Sequence, residues 1–256
     1  MTDNSTGAGE PSRTLALLWG VQSAPARRKG PARSVTVGQI VDAAVSLADE
    51  HGLQAVTVRA VADRVGVSAM SIYTYVPGKP ELLDLMVDAC YARMERPQWG
   101  RERWRRRLSA VAESNRALLL AHSWLTEVAS LSRPPLGPGV MAKYEHELAA
   151  LDGTGLSDVD TDAALNYLLG FVQSHCRAAH DAARATNDSA ISDADWWAAN
   201  QPILARVFDP GRYPRAVRVG AAAGEAQGSA WNAYLAWEFG LARTLDGLAA
   251  LINPAH

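Results

Sequence analysis

The residues best suited to chemistry lie between Thr57 and Tyr75, where the chain reads Thr-Val-Arg-Ala-Val-Ala-Asp-Arg-Val-Gly-Val-Ser-Ala-Met-Ser-Ile-Tyr-Thr-Tyr. Two short helical stretches flank Gly66, which lets the backbone turn sharply, and Val61, Val65, Val67 and Ile72 are spaced to meet as a small core that fixes the angle between them. The second stretch then presents Ala69, Met70, Ser71, Tyr73, Thr74 and Tyr75 outward. Small, hydroxyl and aromatic side chains with no acid among them suit a surface pressed into an anionic groove. Two short helices joined by glycine also occur in many α-helical proteins, so the spacing is compatible with nucleic-acid recognition without requiring it.

Other chemistry is poorly supported. Asp158-Val-Asp-Thr-Asp opens like a calcium loop, but Ala163 stands where such a loop needs glycine and Leu169 where it needs its final acid. These acids read better as the start of a helix. Cys176 and His180 are four apart with Asp181 beside them, a spacing metal sites use, yet no second ligand pair accompanies them. There is no Gly-rich phosphate loop and no nucleophile elbow. An enzyme is therefore not expected, nor catalytic residues, a metal or a cofactor. The two cysteines, Cys90 and Cys176, sit in apolar periodic segments as reduced thiols do, which fits a cytoplasmic protein. The first apolar stretch runs only from Leu15 to Trp19, so neither a signal peptide nor a membrane partner is expected.

The net charge of −2 conceals an asymmetry. Residues 27 to 79 hold seven cations (Arg27, Arg28, Lys29, Arg33, Arg59, Arg64 and Lys79) against four acids, a balance of +3, which leaves −5 for everything else. A basic module joined to an acidic body suits a protein that meets phosphate at one end.

The elements that must position these residues read as all α. Residues 1 to 12, small and polar, are expected to be a disordered tail, and 1–34 a flexible extension ending in a basic arm. Thr36 and Gln39 have capping-box spacing, opening a helix striped with Val37, Ile40, Val41, Ala44, Leu47 and Ala48 and stopped at Gly52. Thr57 caps the second helix and Ser68 the third; a fourth runs from about Pro80 to Met94. Further helices are predicted near 101–121, 123–132, 138–151, 158–184, 193–207 and 228–252, with Pro134-Pro135 and 209–228 as loops. The domains predicted are a helix-turn-helix module at 35–80 and a larger helical body at 81–256, linked by the fourth helix.

Residues 35 to 94 resemble the DNA-binding domain of the tetracycline-repressor (TetR) family through Ile40-Val-Asp-Ala-Ala, Gly52-Leu-Gln-Ala-Val-Thr-Val-Arg-Ala-Val-Ala, Gly66-Val-Ser, Ser71-Ile-Tyr-Thr-Tyr-Val and Lys79-Pro-Glu-Leu-Leu. Leu17-Leu-Trp-Gly, the Tyr-Val-Pro-Gly-Lys ending, and Trp237-Glu-Phe-Gly-Leu-Ala-Arg-Thr-Leu-Asp-Gly-Leu more loosely resemble the subgroup with a tetracycline-repressor-like sensing domain. The resemblance implies a ligand-responsive regulator, most often a repressor, that binds a palindromic double-stranded DNA operator. Thr57 and Arg59 would meet phosphate and a base edge, Arg59 being alternatively a solvated cation. Ser68, Ala69, Met70, Ser71 and Thr74 fall in the groove-reading segment, and Tyr73 and Tyr75 fall where the family contacts phosphate. Ala69 and Met70 lack bidentate hydrogen bonds and would read thymine methyl groups. Lys79 begins the fourth helix, where its ammonium and the helix N-terminus both suit a phosphate. The cations Arg27, Arg28, Lys29 and Arg33 would follow the backbone or enter a minor groove, or simply be solvated.

The family also pairs as a homodimer through its two long C-terminal helices. Leu165, Leu169 and Val172 on one, and Trp231, Tyr234, Leu241, Leu245 and Leu248 on the other, supply apolar stripes for that seam; the same stripes would equally serve a monomeric core. A small-molecule effector pocket is expected among Met86, Cys90, Trp124, Met141, Tyr144, Tyr167, Phe171, Ser174 and His175, which mix aromatics with a few polar atoms. Most such residues in any helical protein are core.

Overall fold

A computed structural model describes residues 6–21 and 35–253; the expected basic arm of Arg27, Arg28, Lys29 and Arg33 lies outside the described residues. Among the described residues there are twelve α-helices, two short 3₁₀ turns and no strand.

The first helix corrects the expectation of a disordered beginning. Helix α1 spans Pro11–Leu18, with proline in the first turn and the Glu10 carboxylate accepting the N–H groups of Ser12 and Arg13. The residues before it are anchored too. The Thr6 N–H donates to the Val128 carbonyl at 3.0 Å, its hydroxyl to the Arg133 carbonyl at 2.9 Å, and the Gly7 N–H to Asp84 Oδ1 at 2.9 Å. Beyond the helix, Trp19 Nε1 donates to the Leu136 carbonyl at 2.8 Å. Composition suggested a tail because the partners of this segment lie more than seventy residues away.

Helix α2 (Val37–His51) opens with the capping box formed on both sides, and Ile40, Val41, Ala44, Leu47 and Ala48 are buried. The Thr57 hydroxyl caps α3 (Val58–Val65) by accepting the Ala60 N–H, and Gly66, at φ 75°, ends it in the left-handed region where a side chain would be strained. Ser68 caps α4 (Ala69–Tyr75). Val61 and Ile72 are fully buried between these helices, with Val65 and Val67 half-buried at the margin.

Helix α5 (Lys79–Arg93) is buried on almost every side, including three carboxylates, Glu81, Asp84 and Asp88. Each meets a backbone donor: the Glu10 N–H reaches Glu81 Oε1 at 3.4 Å, Gly7 reaches Asp84, and the Val140 N–H reaches Asp88 Oδ1 at 2.8 Å. There follow α6 (Trp104–Ala121), the single turn α7 (Leu125–Val128) and α8 (Pro138–Leu148). Where α5 crosses α8 the backbones nearly touch. A Cβ on Gly139 would press into the Asp88 carbonyl oxygen and lie 2.9 Å from the Ala92 nitrogen, and one on Gly137 would strike the Asp88 carboxylate.

Helix α9 (Asp158–Ser189) is the longest, followed by α10 (Asp193–Val207), α11 (Pro214–Gln227) and α12 (Ala233–Ile252). Helix α11 replaces the loop expected over 209–228. Pro214 starts it, Gly228 in the left-handed conformation ends it, and the interior Gly224 exists for packing, since a Cβ there would stand 2.6 Å from the Trp197 ring. The chain divides into two compact units, with the boundary between Gln173 and Ser174 inside α9. The helix-turn-helix segment, α5 and α8 all belong to the first.

Gly139→Ala should lower stability by about 2 kcal/mol, the cost of overpacking a contact whose opposing atoms are backbone. Urea unfolding checks this, and an unchanged midpoint would mean that the crossing is loose. Burial raises the pKa values of Asp84 and Asp88 above their ordinary value near 3.8, the Asp88 shift being opposed by hydrogen bonds from Val140 and Gly139. Just above that value the native state retains protons that the unfolded chain has released, so each group's contribution to stability falls as pH rises through the interval. The stability of Asp84→Asn relative to the parent should accordingly increase across that interval; a difference independent of pH would contradict the assignment.

Candidate nucleic-acid interface and ligand cavity

The α3–α4 corner presents the residue types that the sequence singled out. Thr57 and Arg59 are exposed at the start of α3. On α4, Met70 is 76% exposed, a large value for so apolar a side chain, and Tyr73 and Thr74 are exposed beside it. Ala69, Ser71 and Tyr75 are half-buried. The hydroxyls of Ser68 and Ser71 lie 2.8 Å apart, and the Ser68 oxygen also accepts the Ser71 N–H, so the first turn of α4 is fixed by its own side chains. The Thr74 hydroxyl donates to the Ser71 carbonyl.

The cations of this region divide into two sets. Arg64 is held by a two-pronged ion pair with Glu50 (2.8 and 2.7 Å), tying α3 to α2, and Arg93 pairs with Asp42. Arg59 and Lys79 have no ion pair among the described residues. They are the cations of the corner left for an external anion, with Lys79 in the first turn of α5.

A small cavity of about 20 Å³, room for one water, opens in the first unit near the far end of α5. Its walls are Tyr91 of α5, Asn115 and Leu119 of α6, Leu131, Lys143 of α8, and Leu169, Val172 and Gln173 of α9. Lys143 and Glu147 form a buried ion pair at 2.7 Å, and Asn115 Nδ2 donates to the second Glu147 oxygen at 2.6 Å and to the Val111 carbonyl at 2.9 Å. The Lys143 ammonium stands 5.1 Å from the centre of the Tyr91 ring. Burial, with the Glu147 charge nearby, raises the Tyr91 hydroxyl so far that it stays protonated throughout the physiological range.

None of the nine residues expected to line the pocket is among these walls. Met86 and Cys90 are core, and burial pushes the Cys90 thiol up to about 12. Trp124 is buried with its indole N–H donating to Asp49 of α2 at 2.8 Å, a structural tie. Met141 is half-buried, whereas Tyr144 is exposed and donates to Asp162. On α9, Tyr167 is 60% exposed, Ser174 is exposed and Phe171 half-buried. His175 is buried, its ring 5.1 Å from Trp237 and 6.1 Å from Trp231. Leu169, Val172 and Gln173, not the expected residues of α9, face this cavity.

The stripes assigned to a dimer seam are largely covered within the chain. Leu165 and Val172 are fully buried within the chain, and Leu169 and Val172 line the cavity. Leu245 and Leu248 of α12 are core; Leu241 of α12 and Trp231, just before the helix, are half-buried. Of the residues named there, only Tyr234 is well exposed, and it is joined by Leu235 and by Phe239 at 67%. Sequence reading did not single out Lys143 and Asn115, which line the cavity, or Glu147, which binds both. A signal was available: Val140, Lys143, Glu147 and Ala150 follow one helical stripe, which places the ion pair on the buried side.

A capped three-helix corner with a basic edge, joined by one helix to a helical body holding a cavity, defines a helix-turn-helix regulator. Residues 40–86 match the description "Bacterial regulatory proteins, tetR family", and residues 96–252 match "Tetracyclin repressor-like, C-terminal domain". The chain is 37% identical over 249 residues to the HTH-type transcriptional repressor DrrR1 of Streptomyces coeruleorubidus, covering 97% of this chain and 89% of that protein. It is 33% identical over 178 residues to an HTH-type transcriptional regulator of Saccharopolyspora erythraea, covering 68% of this chain and 75% of the other. Among solved structures, it is similar to ActR of Streptomyces coelicolor in complex with actinorhodin, with TM-score 0.73 and 26% identity, covering 88% of this chain and all of that one. The chain belongs to the TetR family, and it is a DNA-binding transcriptional regulator.

Proposed function

We propose that the protein is a homodimeric repressor that leaves a palindromic operator when a small molecule enters and widens the first-unit cavity. One observation carries the reading: α5 bears Lys79, a free cation beside the reading helix, at one end and Tyr91, a cavity wall, at the other. A single rigid element thus spans both sites. The repressor relative and the ActR–actinorhodin complex support repression and release by a ligand. A ligand shifts the equilibrium only through its preference for the released state, so it must weaken operator binding by the factor by which the operator weakens its own.

At the DNA end, Met70, Ser71 and Thr74 would face base edges, with the exposed Met70 thioether against thymine methyl groups, while Thr57, Arg59, Tyr73, Tyr75 and Lys79 would hold phosphate. Ser68 and Ala69 set the start of the reading helix. One such helix reads too few base pairs for specificity, so two copies must act together. Tyr234, Leu235 and Phe239, an exposed apolar face of α12, would form part of the contact between copies. A regulator of this kind works where the chromosome is, in the cytoplasm; among the described residues no helix is long and apolar enough to cross a membrane.

Lys79→Ala should weaken binding to operator and random duplex alike and flatten the dependence of log affinity on log salt by about one unit, as loss of one phosphate contact does. Thr74→Ala should instead change base preference. If Lys79→Ala altered sequence preference and left the salt slope alone, the assigned roles would be wrong. Leu235→Glu with Phe239→Glu should yield a monomer by light scattering that melts like the parent and has lost operator binding. A variant that remains dimeric would remove α12 from the interface.

A further inference from the structure

Polar ties link the three-helix corner and the start of α5 to the rest of the first unit at two places. One is at the end of α2, where the Asp49 carboxylate accepts the Trp124 indole N–H at 2.8 Å and lies 2.8 Å from His122 Nδ1. A module anchored at one point can pivot about it. The second place is the start of α5, and there the tie runs through the N-terminal segment. Its backbone gives the Gly7 N–H to Asp84 at 2.9 Å and the Glu10 N–H to Glu81 at 3.4 Å, within the first two turns of the helix that follows α4. The same segment is bound on its other side to residues 128–136. The Thr6 hydroxyl donates to the Arg133 carbonyl at 2.9 Å and accepts the Ser130 N–H at 3.2 Å, and Trp19 Nε1 donates to the Leu136 carbonyl.

This contact is closely fitted. Thr6 is buried, and Gly7, at φ 72°, brings the chain so near that a Cβ would stand 3.1 Å from Arg133 Cβ. Its chemistry favours placement over adhesion. Burying Glu81 and Asp84, neither of which pairs with a cation among the described residues, costs free energy that apolar side chains at the same positions would not. What the carboxylates supply is direction, since each accepts one particular backbone N–H and so seats the segment in one register. We infer that Thr6, Gly7 and Trp19 are positioning residues for DNA recognition: they hold the first two turns of α5 to residues 128–136 and so set the orientation in which α4 meets its groove, with no contact to DNA of their own. This rests on α4 being the reading helix, as proposed, and is independent of release by a ligand.

The test uses the full-length chain carrying Thr6→Val and Trp19→Phe together, which removes the hydroxyl and indole hydrogen bonds and keeps most of the side-chain bulk. Affinity is measured for the duplex that the parent protein selects from a random pool and for an unselected duplex of the same length. The selected duplex should bind about tenfold more weakly, as expected when hydrogen bonds that fix an orientation are lost. The unselected one should bind as before, because phosphate contacts tolerate small changes of orientation. Hydrogen exchange of the backbone amides at 82–88 should quicken about tenfold while that of α12 stays as in the parent. Gly7→Val, which strains the seated backbone, should reproduce both effects, and Thr6→Ser, which keeps the hydroxyl, should behave as the parent does. Equal weakening on the two duplexes, exchange that quickens throughout the chain, or an unchanged affinity for the selected duplex would each overturn the inference. Failure of α4 as the reader shows separately, in a base preference that Thr74→Ala leaves alone.

Discussion

The Asp88 carboxylate holds the start of α8 against the middle of α5, accepting backbone N–H groups from Val140 and Gly139 at a point where only glycine allows the two helices so close. Much else depends on this contact. It positions Lys143 and Glu147, four and eight residues after Gly139, with the Lys143 ammonium beside Tyr91 of α5. It also explains why an acid is tolerated in the core: a carboxylate at a helix N-terminus meets unsatisfied donors and the positive end of the helix dipole. Burial still raises its pKa, so the site is held at some electrostatic cost.

The same strategy recurs along α5. Glu81, Asp84 and Asp88, at spacings of three and four, each engage main-chain donors from elsewhere in the chain. Two of those donors belong to the N-terminal segment, which also ties itself to Val128, Arg133 and Leu136. The segment thereby fastens the DNA-proximal half of α5 to the loops around residues 128 to 136, a connection that neither the helix-turn-helix module nor the body makes alone.

What was legible in the sequence follows from range. Caps at Thr36, Thr57 and Ser68, the Gly66 turn and the α2 stripe are local, and each appears in the structure as read. Helix α11 was missed because glycines that read as breakers include one required by a distant ring, that of Trp197. Helix α1 was missed because its stabilising partners are remote. The cavity was illegible for a different reason: its polar residues satisfy each other across α6 and α8, and a pairing such as Asn115 with Glu147 leaves no periodic trace. Periodicity found α9, but it could not say which neighbours cover which face.

The Asp88 crossing divides α5 unequally. Tyr91 lies three residues beyond it and Lys79 nine before it, arms of about 4.5 and 13.5 Å at a rise of about 1.5 Å per residue. Were the helix to tilt about that fulcrum, a displacement at the cavity would be multiplied about threefold at the DNA end. A wall movement smaller than a bond length would then carry Lys79 beyond hydrogen-bonding reach of a phosphate. The N-terminal segment grips the long arm at Glu81 and Asp84, where its backbone hydrogen bonds have the greatest leverage against such a tilt. It is a return spring set on the side where the motion is largest.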